Sequence, residues 1–99
     1  MFFLQFTAST TEQHPRHGDY GGAIVNCWIL RDSISEAESA ARALIPNTHW
    51  SILSFDEAGI MTREEQETKF PSGVPYFEQA EIDHEVFVFH TYPVDSDAR

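Results

Sequence analysis

The sequence contains few basic residues. Its 99 residues include 6 Lys and Arg against 16 Asp and Glu, for a formal net charge of −10 and an isoelectric point near 4.6. Proteins that bind nucleic acid neutralise phosphates with Lys and Arg, and anionic membrane surfaces attract the same side chains. We therefore expect a protein that binds neither nucleic acid nor a membrane.

Cysteine and long apolar runs are also scarce. Cys27 is the single cysteine, so no internal disulfide can form and the fold does not depend on an oxidising compartment. The apolar run at residues 2–6 is too short for a signal peptide or a membrane span, and no basic residue precedes it. These features predict a cytoplasmic protein.

The chain nevertheless has enough apolar side chains for one hydrophobic core. Hydrophobic residues make up 41% of the sequence and aromatic residues 13%, and a chain of this length fits a single domain. We expect one α+β domain over residues 1–93, followed by a polar tail over residues 94–99.

Apolar periodicity and helix-capping patterns predict the order of the elements. Ser33 with Glu36 and Thr62 with Glu65 form two capping boxes, and Pro75 suits the first turn of a third helix, over residues 76–83. Asp56 begins a turn that would return the chain as a short strand at residues 60–61. Alternating or continuous apolar residues predict strands at residues 2–8, 23–31, 49–56 and 85–92.

From residue 23 onward, the order βαββαβ is that of a ferredoxin-like sandwich, with residues 2–8 as an added N-terminal strand. Right-handed crossovers would place two helices on one face of a mainly antiparallel sheet. Because both faces of the strands are apolar, the second face would then need a cover. A homodimer that packs sheet against sheet is the simplest way to supply it.

Histidines provide the best acid–base candidates. His84 and His90 lie at the start and within the last predicted strand, with Asp83 and Tyr92 nearby. They could line the site of a small enzyme or a ligand-binding protein. The alternative, a hydrogen-bonded histidine in the core or at an interface, is favoured because no nucleophile is adjacent in sequence.

Neither a metal nor a cofactor is predicted. His14, His17 and Asp19 have a spacing that could bring ligands together, but a structural zinc site shows four recognisable ligands, so a solvated loop is favoured. The glycines before residue 23 lack the lysine of a phosphate-binding loop. Cys27 lies in the middle of a strand, where burial raises the pKa of a thiol and makes it unreactive.

Acidic residues are concentrated between residues 56 and 85. Nine acids against two bases give this segment a charge of −7. It is either a solvated surface or a docking face for a basic partner, since opposite charge accelerates association. The candidate partner-binding residues are Asp56, Glu57, Glu64, Glu65, Glu67, Glu78 and Glu81.

The chain resembles two groups of proteins. The Asn26-Cys27-Trp28 strand, the helix start at Ser33 and the segments at residues 76–80 and 86–91 resemble small uncharacterised bacterial α+β proteins with no assigned activity. In size and acidity the chain is also similar to cytoplasmic immunity proteins that neutralise basic nuclease toxins. The favoured hypothesis is a non-catalytic, acidic protein-binding module that forms a homodimer or binds a basic partner.

Overall fold

The computed structural model describes residues 1–94 and contains one four-stranded sheet and three α-helices. Two short 3-10 turns lie at Ile45–Thr48 and Pro71–Gly73. In chain order the elements are β1 Phe2–Thr10, β2 Tyr20–Ile29, α1 Ile34–Leu44, β3 Trp50–Ile60, α2 Arg63–Lys69, α3 Val74–Asp83 and β4 Glu85–Pro93.

All strand pairs in the sheet are antiparallel, and the strand order is β3-β1-β2-β4. β1 is thus a central strand, paired with β2 on one side and β3 on the other. β3 carries two irregularities in its pairing with β1, where Leu53 and Asp56 are the extra residues. Such bulges bend an edge strand and interrupt its ladder.

One face of the sheet, here called the α1 face, packs against α1. Leu4, Phe6 and Val25 project from it and are fully buried together with Ala37 and Ala41 of the helix. Alanines lack bulk beyond Cβ, so the helix approaches the strands closely. Ser33 accepts a hydrogen bond from the Glu36 amide and caps α1 as predicted.

The opposite face, here called the α3 face, packs against α2 and α3. Trp28, Phe77 and Ala80 form its buried cluster, and Phe3 and Val88 pack against them. Thr62 and Glu65 form the complete reciprocal capping box predicted at the start of α2. The two helical regions therefore lie on opposite faces of the sheet.

The α+β class and the antiparallel sheet are confirmed, but the ferredoxin-like arrangement is not. Residues 2–8 were expected as an added strand, whereas β1 occupies the interior of the sheet. The expected turn at residues 56–59 is also wrong, because Trp50–Ile60 forms one strand that pairs with β1 along its length. The ladder to β1 satisfies backbone groups that a local hairpin would otherwise have paired.

The sheet-on-sheet dimer was expected because one apolar face of the sheet would need a cover. Helices lie on both faces, so no whole face is left uncovered. The homodimer itself stays a prediction. The predicted polar tail lies outside the described residues apart from Val94, which is exposed.

Candidate functional site

A groove of about 330 Å³ opens on the α3 face, between the sheet and the segment from α2 to α3. Four aromatic residues line it and give it the name used below, the aromatic groove. Trp28 is the central one, because its ring centroid lies 5.2 Å from those of both Phe3 and Tyr76. Phe70 lines the outer wall and is 54% exposed.

A buried glutamine holds the floor of the groove together. Gln66, only 1% exposed, accepts a hydrogen bond of 2.7 Å from the Trp28 indole Nε1–H. Its own amide nitrogen donates a bond of 2.6 Å to the Phe70 carbonyl. One side chain of α2 thereby fixes both the indole of β2 and the turn that follows the helix.

The sheet side of the groove is polar. Gln5 donates a hydrogen bond of 3.0 Å to Asn26 on the neighbouring strand, and Glu57 and His90 line the same wall. Within residues 1–94, no Lys or Arg side chain lines the groove. Its chemistry is therefore amides, one carboxylate and one imidazole beside aromatic rings.

Gly73 lies directly behind Gln66 and Trp28. A Cβ built there would be 2.5 Å from the Gln66 amide nitrogen and 3.0 Å from the indole ring, whereas a Cβ at Gly59 would meet no atom within 4 Å. Neither glycine has a positive φ, so the two positions differ in the space around them.

Alanine at Gly73 is therefore expected to lower the free energy of unfolding by about 1–3 kcal/mol through overpacking. Gly59→Ala is the matched control and should change stability little or raise it by up to about 1 kcal/mol. Urea unfolding followed by tryptophan fluorescence measures both variants. Equal stabilities of the two would show that the groove floor yields without cost.

Arg63 gathers part of the acidic segment. Its guanidinium lies 2.6 Å from Glu78, 3.1 Å from Glu81 and 3.5 Å from Glu67, which ties α2 to α3. The hydrogen bond that Arg63 donates to Glu78 contributes most to raising the pKa of Arg63. The same guanidinium lies over the ring of Phe77, 5.9 Å from its centroid.

The other predicted acidic residues have separate surroundings. Hydrogen bonds from Ser54 and Thr7 hold the pKa of Asp56 below its ordinary value. Glu65 belongs to the capping box of α2, Glu64 is exposed on the same helix, and Glu57 lines the aromatic groove. Of the seven candidate partner-binding residues, Glu57 is thus the one that lines the aromatic groove.

The acid–base candidates His84, His90 and Tyr92 do not lie in one cavity. His90 lines the aromatic groove, whereas His84 lines a more open depression beside Arg31 and Glu85. The backbone of His84 ends α3 in a left-handed conformation, and its carbonyl accepts hydrogen bonds from Leu30 and Arg31. Tyr92 packs over Gly22, where a Cβ would meet its hydroxyl.

The loop histidines take part in local contacts. His17 forms a hydrogen bond of 2.9 Å with Thr10, Asp19 pairs with Arg16, and the His14 ring packs on Trp50. Among residues 1–94, no three His, Cys, Asp or Glu side chains are grouped so that they could hold a metal ion. None of the described helices is long and apolar enough to cross a membrane.

Sequence reasoning missed the groove because it is assembled from distant segments. Gln66 is one of two uncharged residues in α2, with Thr68, but nothing local connects it with Trp28, 38 positions earlier. The sequence places Trp28 in one predicted strand and Tyr76 at the start of a predicted helix, with no sign that the two side chains meet. Their meeting depends on the face to which α3 returns.

Comparisons with known proteins return no match to this chain among family models, curated sequences or solved structures. The resemblance to small bacterial α+β proteins stays a hypothesis. A function for this chain is therefore inferred from the geometry of the groove and the distribution of charge around it.

Proposed function

We propose that the protein is a non-catalytic binding module that holds a basic segment of a partner protein in the aromatic groove. The observation that supports this most directly is the lining of the groove, which combines Glu57 on the polar wall with four aromatic residues and includes no Lys or Arg among residues 1–94. A cationic side chain is the group that both the aromatic wall and the wall containing Glu57 attract.

The chemistry of the two walls is complementary to Lys or Arg. A carboxylate forms charge-assisted hydrogen bonds with an ammonium or guanidinium group, and aromatic faces attract the same cations. Tyr76 and Phe70 are the exposed aromatic residues on the outer wall. Gln5 and Asn26 supply amide groups that could pair with the backbone of the bound segment.

The volume of the groove suits a short segment. About 330 Å³ is near the lower end of the range for ligand sites, which is about 300–1,000 Å³. That space accommodates a long side chain and a little backbone, while the surrounding surface would contact the rest of the partner.

Charge outside the groove would guide a basic partner towards it. The segment from residue 56 to residue 85 carries −7 of the total charge of −10, and Arg63 compensates only part of the carboxylates on α2 and α3. A net field of this sign accelerates encounter with basic proteins at low salt. The basic nuclease toxins neutralised by immunity proteins are one class of partner with suitable chemistry, and such an encounter would take place in the cytoplasm.

A binding function is favoured over an enzymatic one by the separation of the histidines. A site that used His84, His90 and Tyr92 together would need them in one cavity, and His84 lines a different depression from His90. General acid–base catalysis requires such groups within hydrogen-bond reach of one substrate.

Fluorescence anisotropy with a short labelled peptide tests the proposal. The probe alternates arginine with serine, and the matched peptide has glutamine at every arginine position. We expect the arginine peptide to bind and the glutamine peptide not to bind, with affinity falling as salt is added. Glu57→Lys should weaken binding about tenfold, and Tyr76→Ala about threefold.

Glu12→Lys provides the control, because it makes the same change of net charge on an exposed residue of the β1–β2 loop. It should alter affinity by less than about twofold if the groove binds the peptide. An equal loss in both lysine variants would show attraction by overall charge, and equal binding of the two peptides would contradict the proposal.

A further inference from the structure

The two edges of the sheet differ in how well they are protected. β3 forms one edge and has two bulges, with Asp56 as an extra residue at one and Glu57 following it. Bulges and charges are the features by which natural sheets prevent further strand pairing. β4 forms the other edge, and the register of its residues 85–92 with β2 has no shift up to Gly22.

The outer edge of β4 is apolar and regular. Its first five residues are Glu85 followed by Val86, Phe87, Val88 and Phe89, and all five are only partly buried. The carboxylate of Glu85 lies 2.8 Å from Arg31, so its charge is compensated within the chain. Among the described residues, β4 pairs with β2 alone.

The backbone groups on this edge can be assigned from the register. The Leu30 amide donates a hydrogen bond of 2.8 Å to the His84 carbonyl, and opposite residues of an antiparallel pair alternate between bonded and non-bonded pairs. Continuing from that bond, Val86, Val88 and His90 bond to β2. The residues whose N–H and C=O groups point away from β2 are Glu85, Phe87, Phe89 and Thr91.

We propose that this edge pairs with the same edge of a second copy of the chain, forming an eight-stranded sheet in a symmetric dimer. The pattern around Val88 is self-complementary: antiparallel pairing centred there places Phe87 opposite Phe89 of the other copy, and the reverse. The same register pairs Glu85 with Thr91, so no like charges face each other. It also uses every outward-pointing backbone group between residues 85 and 91.

A second copy suits this edge better than an unrelated strand. An isologous interface requires one patch to match itself after a two-fold rotation, and the two phenylalanines flanking Val88 meet that requirement. Aromatic cross-strand pairs stabilise such a ladder. The proposal is argued from the backbone edge of β4 and not from the chemistry of the aromatic groove, although His90 of β4 also lines that groove.

Cross-linking tests the register directly. In the proposed dimer the two Val88 residues face each other in a non-hydrogen-bonded pair, with Cα atoms about 4.5 Å apart, a spacing that a disulfide can bridge. Val88→Cys should form a covalent dimer under mild oxidation. Val86→Cys is the matched control and should not, because Val86 faces His90 of the other copy.

Light scattering after size exclusion tests the interface without cross-linking. The wild-type chain should have twice its 11.3 kDa mass. Thr91→Pro removes an outward amide, and the two copies together lose two hydrogen bonds, so the dissociation constant should rise about thirtyfold. Thr91→Ala keeps that amide and should leave the constant unchanged. Circular dichroism checks that each variant folds.

Salt gives opposite signs for the two proposals. Each copy carries −10, so added salt should strengthen the dimer while it weakens binding of the arginine peptide. A wild-type monomer at high concentration would overturn the dimer, as would equal cross-linking of Val88→Cys and Val86→Cys. If the wild-type chain is monomeric and the arginine peptide binds along the β4 edge, that edge binds another partner and not a second copy.

Discussion

Replacement of Gln66 by leucine is expected to lower the free energy of unfolding by about 2–3 kcal/mol, although leucine adds apolar surface to the core. The Trp28 indole N–H would lose its acceptor inside a buried cluster. The carbonyl of Phe70 would lose one of its two donors and keep the hydrogen bond from the Gly73 amide. An unsatisfied buried polar group costs about 1–3 kcal/mol. Because the Phe70 carbonyl keeps its bond from the Gly73 amide, the unpaired indole accounts for most of the loss.

Gln79→Leu is the matched control for this substitution. Gln79 also donates a side-chain hydrogen bond, to Asp83, but on the exposed surface of α3, so its loss should cost less than about 0.5 kcal/mol. Combining Gln66→Leu with Trp28→Phe tests the cause, because phenylalanine has no N–H to leave unpaired. Equal effects of Gln66→Leu in both backgrounds would show that the bond contributes nothing.

The thiol of Cys27 is expected to react at least about a thousandfold more slowly in the native protein than in the unfolded chain. Burial raises the pKa of Cys27 from 9.0 to about 12, which lowers the thiolate fraction near pH 8 by about three powers of ten. Steric protection in the core adds to this factor, since the residue is fully buried. The sequence-based prediction of an unreactive thiol agrees with this environment.

Reaction with an aromatic disulfide reagent, in native buffer and in guanidinium chloride, measures the ratio. Ser51→Cys supplies an exposed thiol on β3 in the same protein and should react at an ordinary rate in the native state. A native Cys27 that reacts as fast as this exposed thiol would contradict the burial described here.

The same pKa shift predicts a dependence of stability on alkaline pH. Because the folded pKa lies above the unfolded one, the contribution is fully present below pH 9 and is lost as pH rises towards 12. The full loss corresponds to about 4 kcal/mol, at about 1.4 kcal/mol for each pH unit. Cys27→Ala should remove this component from the alkaline unfolding curve.

Local patterns predicted the type of most elements well. The capping residues Ser33 and Thr62 mark the starts of α1 and α2 because a capping bond involves residues only three positions apart. Alternation of side chains likewise located β1 and β4, since it follows from the pleat of a single strand, and a continuous apolar run located β2. The wrong turn at residues 56–59 shows the limit, because residues that favour turns also occur in an edge strand whose bulges accommodate them.

The candidate site was less predictable than the elements that form it. Glu57 and His90 were identified from charge and chemistry, but their common groove with Trp28 and Tyr76 was not. These residues share a groove because α3 packs on the face of the sheet from which Trp28 projects. A strand with two apolar faces does not indicate which face the next helix covers. The seven predicted acids were likewise one group in the sequence, while contacts with Arg63 divide them.

The sequence by itself determined the α+β class, the starts of α1 and α2, the position of the single cysteine within a strand and the net charge of −10. These properties depend on composition or on interactions between near neighbours in the chain. Only the tertiary structure decided that β1 lies inside the sheet, that the helices cover opposite faces and that β4 forms an unprotected edge. Strand order depends on pairing between distant segments, and many pairings satisfy the same alternation of apolar residues.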